Sequence, residues 1–316
     1  MTNAVNIAQS GSNNVTFRNR LINGAMVIDQ RNNGASVTVN STSIFRSVDR
    51  WWGVATGSAG VYVMQQSTSS PPAGFRNFLR VGVATADASI AAGDTYYIGS
   101  TIEGFNVYDF GFGAAGASTI TVSFQVRSSV TGTFSGSVLN GAENYSYPFT
   151  FVINSANTWE SKSVTISGPT AGTWATNNTA GMVLVFDLGN GSNWRAAAGA
   201  WVAAGEYGAT GAVTLISTLN ANFDITGVQL ERGSAASPFE QRLYGTELQL
   251  CQRYYAAVNG AAVNAGLFVS LQWPVQMRVS PTATSTVSAI SVQSNTAGYM
   301  NNGSTTAFNY TVSAEM

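Results

Sequence analysis

The chain has 316 residues, enough for about two domains and a large buried core. Only 9% of them are charged, against about 25% in ordinary soluble domains, so neutral polar groups must carry solubility. A net charge of −1 and a pI of about 5.4 leave no basic footprint for DNA or RNA, and nucleic acid is not an expected partner.

The first residues carry neither a basic stretch nor an apolar run, so no secretory signal is read. No apolar run approaches the roughly 18 residues of a membrane span, so no membrane partner is expected. Residues 1–43 hold too little apolar material for a core and are expected to form an extended N-terminal attachment arm, with Arg18, Arg20 and Arg31 giving it a positive bias. Asn32-Asn33-Gly34 is a turn signal between Val27-Ile28 and the alternating Ser36-Val37-Thr38-Val39, which predicts a small hairpin. Two readings of the arm stand side by side: docking on another subunit, or packing on its own domain. The charged Asp49-Arg50 pair is expected to lock it to the sandwich by ion pairing.

Residues 44–231 repeat strand-like runs with turn signals between them, at 61–63, 77–85, 95–102, 145–153, 159–166 and 182–188. The clearest is Ile120, Val122, Phe124 and Val126, a period-two stripe facing a core. No helical periodicity interrupts these runs. The predicted fold is therefore all-β, an antiparallel two-sheet sandwich of the jelly-roll kind. Its last strand holds Phe223, Ile225, Val228 and Leu230, with Gly227 marking a bulge.

A small-residue connector, 232–243, leads to a short helix in which Tyr244, Leu248, Cys251 and Tyr255 form one stripe. Beyond it, to 316, Trp273-Pro274 ends a strand that 275–279 resumes, 284–292 is another, and Phe308, Tyr310 and Val312 alternate in a last one. A helix plus about four strands is a small core, marginal alone. Oligomerisation is the simplest remedy, with the helix stripe as the candidate contact.

The residue inventory narrows the chemistry. There is no histidine and a single cysteine, which removes Ser-His-Asp and Cys-His catalysis, a structural zinc site and any internal disulfide. No phosphate loop of the P-loop form occurs, and no acidic run has calcium spacing; neither cofactor nor metal is expected. Fifteen acidic residues leave glycoside hydrolysis open in principle, with Asp187 and Glu206, or Asp109 and Glu103, as arbitrary pairs. The expected answer is that the chain is not an enzyme.

Aromatic residues in turn-rich stretches are the better lead. Trp174 with Asn177 and Asn178, and Trp194 with Asn193 and Arg195, combine a flat ring with hydrogen-bonding groups, as carbohydrate binding requires. The competing reading is that these rings plug the sandwich ends or pack between subunits. Trp51, Trp52, Trp159 and Trp201 lie closer to strand patterns and are expected in the core.

Several words carry a resemblance. Val228 to Glu231 (VQLE), Ser237 to Glu240 (SPFE) and the helix from Tyr244 to Tyr255 follow one another, and Arg20 to Met26 (RLINGAM), Asp29 to Asn32 and Asp49-Arg50-Trp51 precede them. Together with the terminal Val312 to Met316, this order resembles that of bacteriophage tail-fibre and related virion proteins. The resemblance implies a virion component, on tail or capsid, assembled in the host cytoplasm, whose sandwich is similar to carbohydrate-binding modules. It further implies a homotrimer, contacts with other virion proteins through the arm, and host surface polysaccharide as ligand. A tail fibre or receptor-binding protein is the first expectation. A head fibre, capsid decoration or tail adaptor is the alternative, and a polysaccharide depolymerase a minor one.

Overall fold

The computed structural model describes residues 17–40, 44–57, 59–259, 267–286, 290–302 and 309–316. The first strands are β1 (Val37–Val39), β2 (Phe45–Arg46), β3 (Trp51–Ala55), β4 (Val61–Ser67), β5 (Phe78–Thr85) and β6 (Tyr96–Glu103). There follow β7 (Ile120–Ser128), β8 (Gly132–Asn140), β9 (Ser146–Ile153), β10 (Glu160–Ile166) and β11 (Ala180–Asp187). The short β12 (Arg195–Ala196) and β13 (Gly208–Ala209) form a parallel ribbon, and β14 (Asn222–Arg232) closes the sandwich.

Two six-stranded sheets face each other, ordered β1-β4-β5-β14-β7-β10 and β2-β3-β6-β11-β8-β9, with antiparallel pairings throughout. This is the expected jelly-roll sandwich. On β7 the stripe Ile120, Val122, Phe124 and Val126 is buried, as the alternation predicts. Phe124 meets Phe151 of β9 and Phe186 of β11, each with ring centroids 5.0 Å apart, so the two sheets interlock through aromatic edges. β8 left no signal in the sequence because its centre is Ser135-Gly136-Ser137. A Cβ on Gly136 would come within 2.6 Å of the Phe149 ring, so the glycine makes room for that core ring.

β14 carries the expected bulge: its register with β7 shifts between Thr226 and Gln229, and Gly227 adopts φ 61°. Beyond the bulge β5 no longer pairs with β14, and the N-terminal segment takes its place. Arg20 N–H donates to the Leu230 carbonyl at 2.9 Å, and Val228 N–H to that of Gly24 at 2.9 Å. Leu21 and Met26 are buried in the sandwich core, and β1 pairs with β4. Residues 17–40 are thus laid against the chain's own sandwich, the second of the two readings of the arm; 1–16 and 41–43 lie outside the described residues. The predicted hairpin is corrected. The turn at 30–34 forms, with both Asp29 carboxylate oxygens accepting backbone N–H bonds, but β1 leaves it for β4 because Val39 has a core to enter there.

After the connector, helix α1 (Tyr244–Gln252) leads to β15 (Tyr255–Asn259), β16 (Leu267–Gln272), β17 (Thr282–Ser285), β18 (Ile290–Val292), β19 (Ala297–Asn302) and β20 (Asn309–Ser313). These make two three-stranded sheets around Leu271, Trp273, Met277, Tyr310 and Val312. β16 stops before Trp273-Pro274 as expected, but 275–279 is not a strand. Met277 turns into the small core there, and Arg278 donates to the carbonyls of Ala314 and Glu315. The 284–292 prediction resolves into β17 and β18, with 287–289 outside the described residues, as is Phe308. Among the described residues no helix is long and apolar enough to cross a membrane.

The helix stripe does not face outward. Cys251 is buried against Ile22, Ile28 and Tyr254, with Leu248 half-buried beside them. Tyr255 begins β15 and lies 3.5 Å under the Arg31 guanidinium. Of the four residues proposed for an oligomer contact, only Tyr244 is exposed. The correction has a plain cause: the apolar face that seemed unpartnered in sequence is covered by the N-terminal segment of the same chain.

Candidate functional site

The outer face of the second sheet is apolar where a sandwich ordinarily meets water. Along β11, Met182, Leu184 and Phe186 point into the core, while Val183 and Val185 join a separate cluster with Trp52, Val54, Tyr97 and Leu139 on the other side. The doublets Trp51-Trp52 and Tyr96-Tyr97 divide in the same way. By the period of a strand, the first ring of each enters the core and the second faces out.

These outward rings form a row. Trp52 meets Tyr97 edge-on at 5.7 Å, Tyr97 stacks on Tyr207 at 4.5 Å and 14°, and Trp194 tilts against Tyr207 at 5.4 Å. Gly99 lies beneath the Trp52 indole. A Cβ there would stand 2.8 Å from the ring, so the glycine lets the indole lie close to the sheet. The row borders a groove of about 420 Å³. Its polar lining is Thr56, Thr95, Thr101 and Glu143, and Ile44 and Met316 also contribute.

The hydrogen bonds of the groove hold the rings in place. Trp52 Nε1 donates to Thr101 Oγ1 at 3.3 Å, and Trp194 Nε1 to the Gly93 carbonyl at 2.9 Å. The hydroxyls of Thr56 and Thr95 bond each other at 2.8 Å. Tyr207 donates its hydroxyl to Glu143 Oε2 at 2.8 Å. Burial pushes the Glu143 carboxyl up from its ordinary pKa, against the opposing pull of that bond. Burial, and then the Glu143 charge, pushes the Tyr207 phenol up, so the phenol keeps its proton and donates it to Glu143.

The residues singled out from sequence separate into different places. Trp194 lines the groove. Arg195 is committed to Asp187, a fully buried carboxylate, with Nε 2.9 Å and Nη2 2.8 Å from its Oδ2. It acts on the groove by fixing the turn that presents Trp194. Asn193, in the same short 3-10 turn, is exposed, and its backbone N–H donates to the Ala92 carbonyl. Trp174 belongs to another cluster, where it meets Phe112 at 4.8 Å and Trp201 at 5.5 Å, both edge-on, and Tyr145 stacks on Trp201 at 5.7 Å. Asn177 Oδ1 closes its own turn by accepting from Thr179 N–H and Oγ1. Asn178 exchanges bonds with Arg278, its Nδ2 donating to that residue's carbonyl and its own carbonyl accepting from Nη1. Neither asparagine lines the groove.

Sequence reasoning missed Trp52, Tyr97, Tyr207 and Glu143. Trp52 was expected in the core, and it is buried, but on the outer face. Trp159 and Trp201 are half-buried rather than core. Trp159 packs on Phe78 and lies 4.7 Å from the Arg127 guanidinium. The signal that could have found the row is the pair of aromatic doublets, since two successive rings on a strand cannot both face one core.

Three of the four acids considered for hydrolysis are engaged elsewhere. Glu103 takes both Arg253 nitrogens, at 2.7 and 3.1 Å, and the Tyr254 hydroxyl at 2.7 Å. Asp109 pairs with Arg20 at 2.7 Å, and Asp187 with Arg195. Glu206 does not line the groove. Among the described residues no group of three metal-type side chains gathers.

No protein-family model matches the chain. No curated protein matches it in sequence. Solved structures with similar chain courses include the enzymatically active domain of tailspike protein 4 of bacteriophage CBA120, at 11% identity and a TM-score of 0.35, covering 69% of this chain and 22% of that one. The family 11 carbohydrate-binding module of a cellulosomal cellulase of Clostridium thermocellum is similar at 9% identity and a TM-score of 0.31, over 63% of this chain and 100% of the module. The module TmCBM61, solved with β-1,4-galactotriose, is similar at 10% identity and a TM-score of 0.33, over 68% and 99%. This chain therefore spans under a quarter of the tailspike chain's length.

Proposed function

We propose that the groove holds a glycan, and that the chain is a bacteriophage virion surface protein, a tail fibre or receptor-binding protein, which contacts its host there without chemistry. The observation that carries the binding reading is the row Trp52, Tyr97, Tyr207 and Trp194 along one groove with threonine hydroxyls. Sugar rings present apolar C–H faces to such rings and hydroxyls to such donors and acceptors. The groove volume lies in the range of small-ligand sites.

A count of acids supports binding over hydrolysis. Glycoside cleavage ordinarily uses two carboxyl groups flanking one bond, and among the described residues Glu143 is the single acid side chain lining the groove. The virion part rests on the sequence words and their order, and the homotrimer belongs to the same proposal. Glycan arrays and adsorption to host cells test the binding: the full chain is expected to retain a polysaccharide and leave it uncut. Failure to bind any glycan would end this reading. Labelling of the particle tests the location, and label on capsid faces would assign a head-fibre, decoration or adaptor role instead.

A further inference from the structure

We infer that the groove selects electrically neutral glycans and rejects acidic ones, and that Glu143 is the residue that sets this preference. The inference rests on the glycan reading of the groove and adds to it the chemical class of the ligand.

The lining of the groove is unusual in its charge. Among the described residues Glu143 supplies the one charged side chain, and neither Arg nor Lys lines it. Each arginine within two residues of the lining already has partners: Arg195 holds Asp187, Arg50 bridges Glu315 and the Thr101 carbonyl, and Arg46 donates to the Met316 carbonyl at 2.9 Å and lies 3.9 Å from Glu315. A uronic, sialic or phosphorylated sugar entering here would find no unpaired cation to replace the water it loses. It would also meet a carboxylate in a site of lowered dielectric, where like charges repel more strongly than in water. A neutral sugar pays neither cost and can donate a hydroxyl to the carboxylate oxygens.

Glu143 is built to stay where it is. It sits in the β8–β9 turn with φ 52°, its backbone N–H donates to the Asn140 carbonyl, and its carbonyl packs on Gly205, where a Cβ would come within 2.2 Å. The Tyr207 hydroxyl then aims the side chain at the ring row. One contact thus couples the charge to the stacking surface.

The test uses the full chain at pH 8, titrated with a neutral polysaccharide that it retains and with a carboxylated derivative of the same polymer. Wild type is expected to bind the neutral polymer at least tenfold more tightly. Glu143→Gln keeps an acceptor for Tyr207 and removes the charge. Whatever it does to the neutral affinity, it is expected to narrow the ratio at least fivefold. The wild-type ratio should also shrink as salt is raised, a measurement that needs no variant. An unchanged ratio in both experiments, or tighter binding of the acidic polymer by wild type, overturns the role of Glu143 and leaves the glycan reading intact. No binding of either polymer, or of any glycan on an array, overturns the glycan reading itself and this inference with it.

Discussion

The outer face of the second sheet and the joint between the sandwich and the C-terminal unit use the aromatic and the charged residues of this chain in opposite ways. The groove collects aromatic rings and one carboxylate. The joint collects charge. Glu315 is met by Arg50, Arg31 and Arg46, and although burial alone would push its carboxyl up, these cations hold it below the usual range. Glu103 is gripped by Arg253 and Tyr254, and Glu247 accepts from Asn23 N–H and Arg242. Arg50 lies 3.6 Å from the Tyr254 ring centre. In a chain where only 9% of residues are charged, this concentration assigns the joint to holding segments distant in sequence, and leaves the groove with a single charged side chain among the described residues.

The sharpest way to break this contrast is to remove the joint. A chain truncated after Glu231 loses the partners of Glu103, Arg50 and the N-terminal segment, leaving several charges buried without counter-ions. It is expected to be insoluble or unfolded by circular dichroism. A folded, monomeric fragment would show that the sandwich stands alone and that the joint contributes little.

A smaller perturbation separates stability from binding. Glu103→Ala strands the Arg253 charge and the Tyr254 hydroxyl, and is expected to cost about 3 kcal/mol in denaturant unfolding, since breaking one partner of a buried pair is expensive. Glycan affinity of the folded protein should be unchanged. Trp174→Ala serves the same purpose at the second aromatic cluster. It is expected to cost about 2 kcal/mol through lost ring contacts with Phe112 and Trp201, with affinity held within about twofold.

The smallest expected effect is a pH dependence at the joint. Burial raises the Asp49 carboxyl to about 6, against hydrogen bonds from Gln30 that oppose the shift. The native state then holds this proton more tightly than the unfolded chain, so between about pH 4 and pH 6 its contribution to stability falls as pH rises. Asp49→Asn cannot titrate. The stability difference between wild type and variant should therefore move against wild type by on the order of 2 kcal/mol across that window. A difference independent of pH would show that Asp49 ionises normally in the fold.

The sheets were legible in the sequence because alternation is strong on β7, β9 and β14, and Gly227 announced its bulge. β8 was hidden by its small central residues, of which Gly136 faces the Phe149 ring, and the hairpin prediction failed because β1 had a better partner in β4. The words of the family resemblance are instructive in where they meet. Arg20 and Gly24 bond Leu230 and Val228, and Ser237 caps Glu231 through its N–H and hydroxyl. Glu240 accepts from Asn19 N–H, and Glu247 from Asn23 N–H. These contacts build the joint, so the words speak mainly to architecture; Met316, at the end of the last of them, also lines the groove. The site residues were half legible. Trp194 was found from its turn-rich setting. Trp52, Tyr97 and Tyr207 were not, because a ring on a strand looks the same from sequence whether it faces the core or a ligand. Asn178 and Arg195 looked like binding groups and are bonded to Arg278 and Asp187 instead.

The central claim is that the ring row binds and the joint does not. Calorimetric titration of the full chain with a glycan retained on an array tests it most directly, comparing wild type with the Trp194→Ala, Tyr207→Ala double variant. Loss of the stack that joins Tyr97 to the groove rim is expected to weaken binding about 100-fold, or about 2.7 kcal/mol, with the Glu103→Ala chain binding as wild type does. Equal affinity in the double variant and wild type would contradict the account.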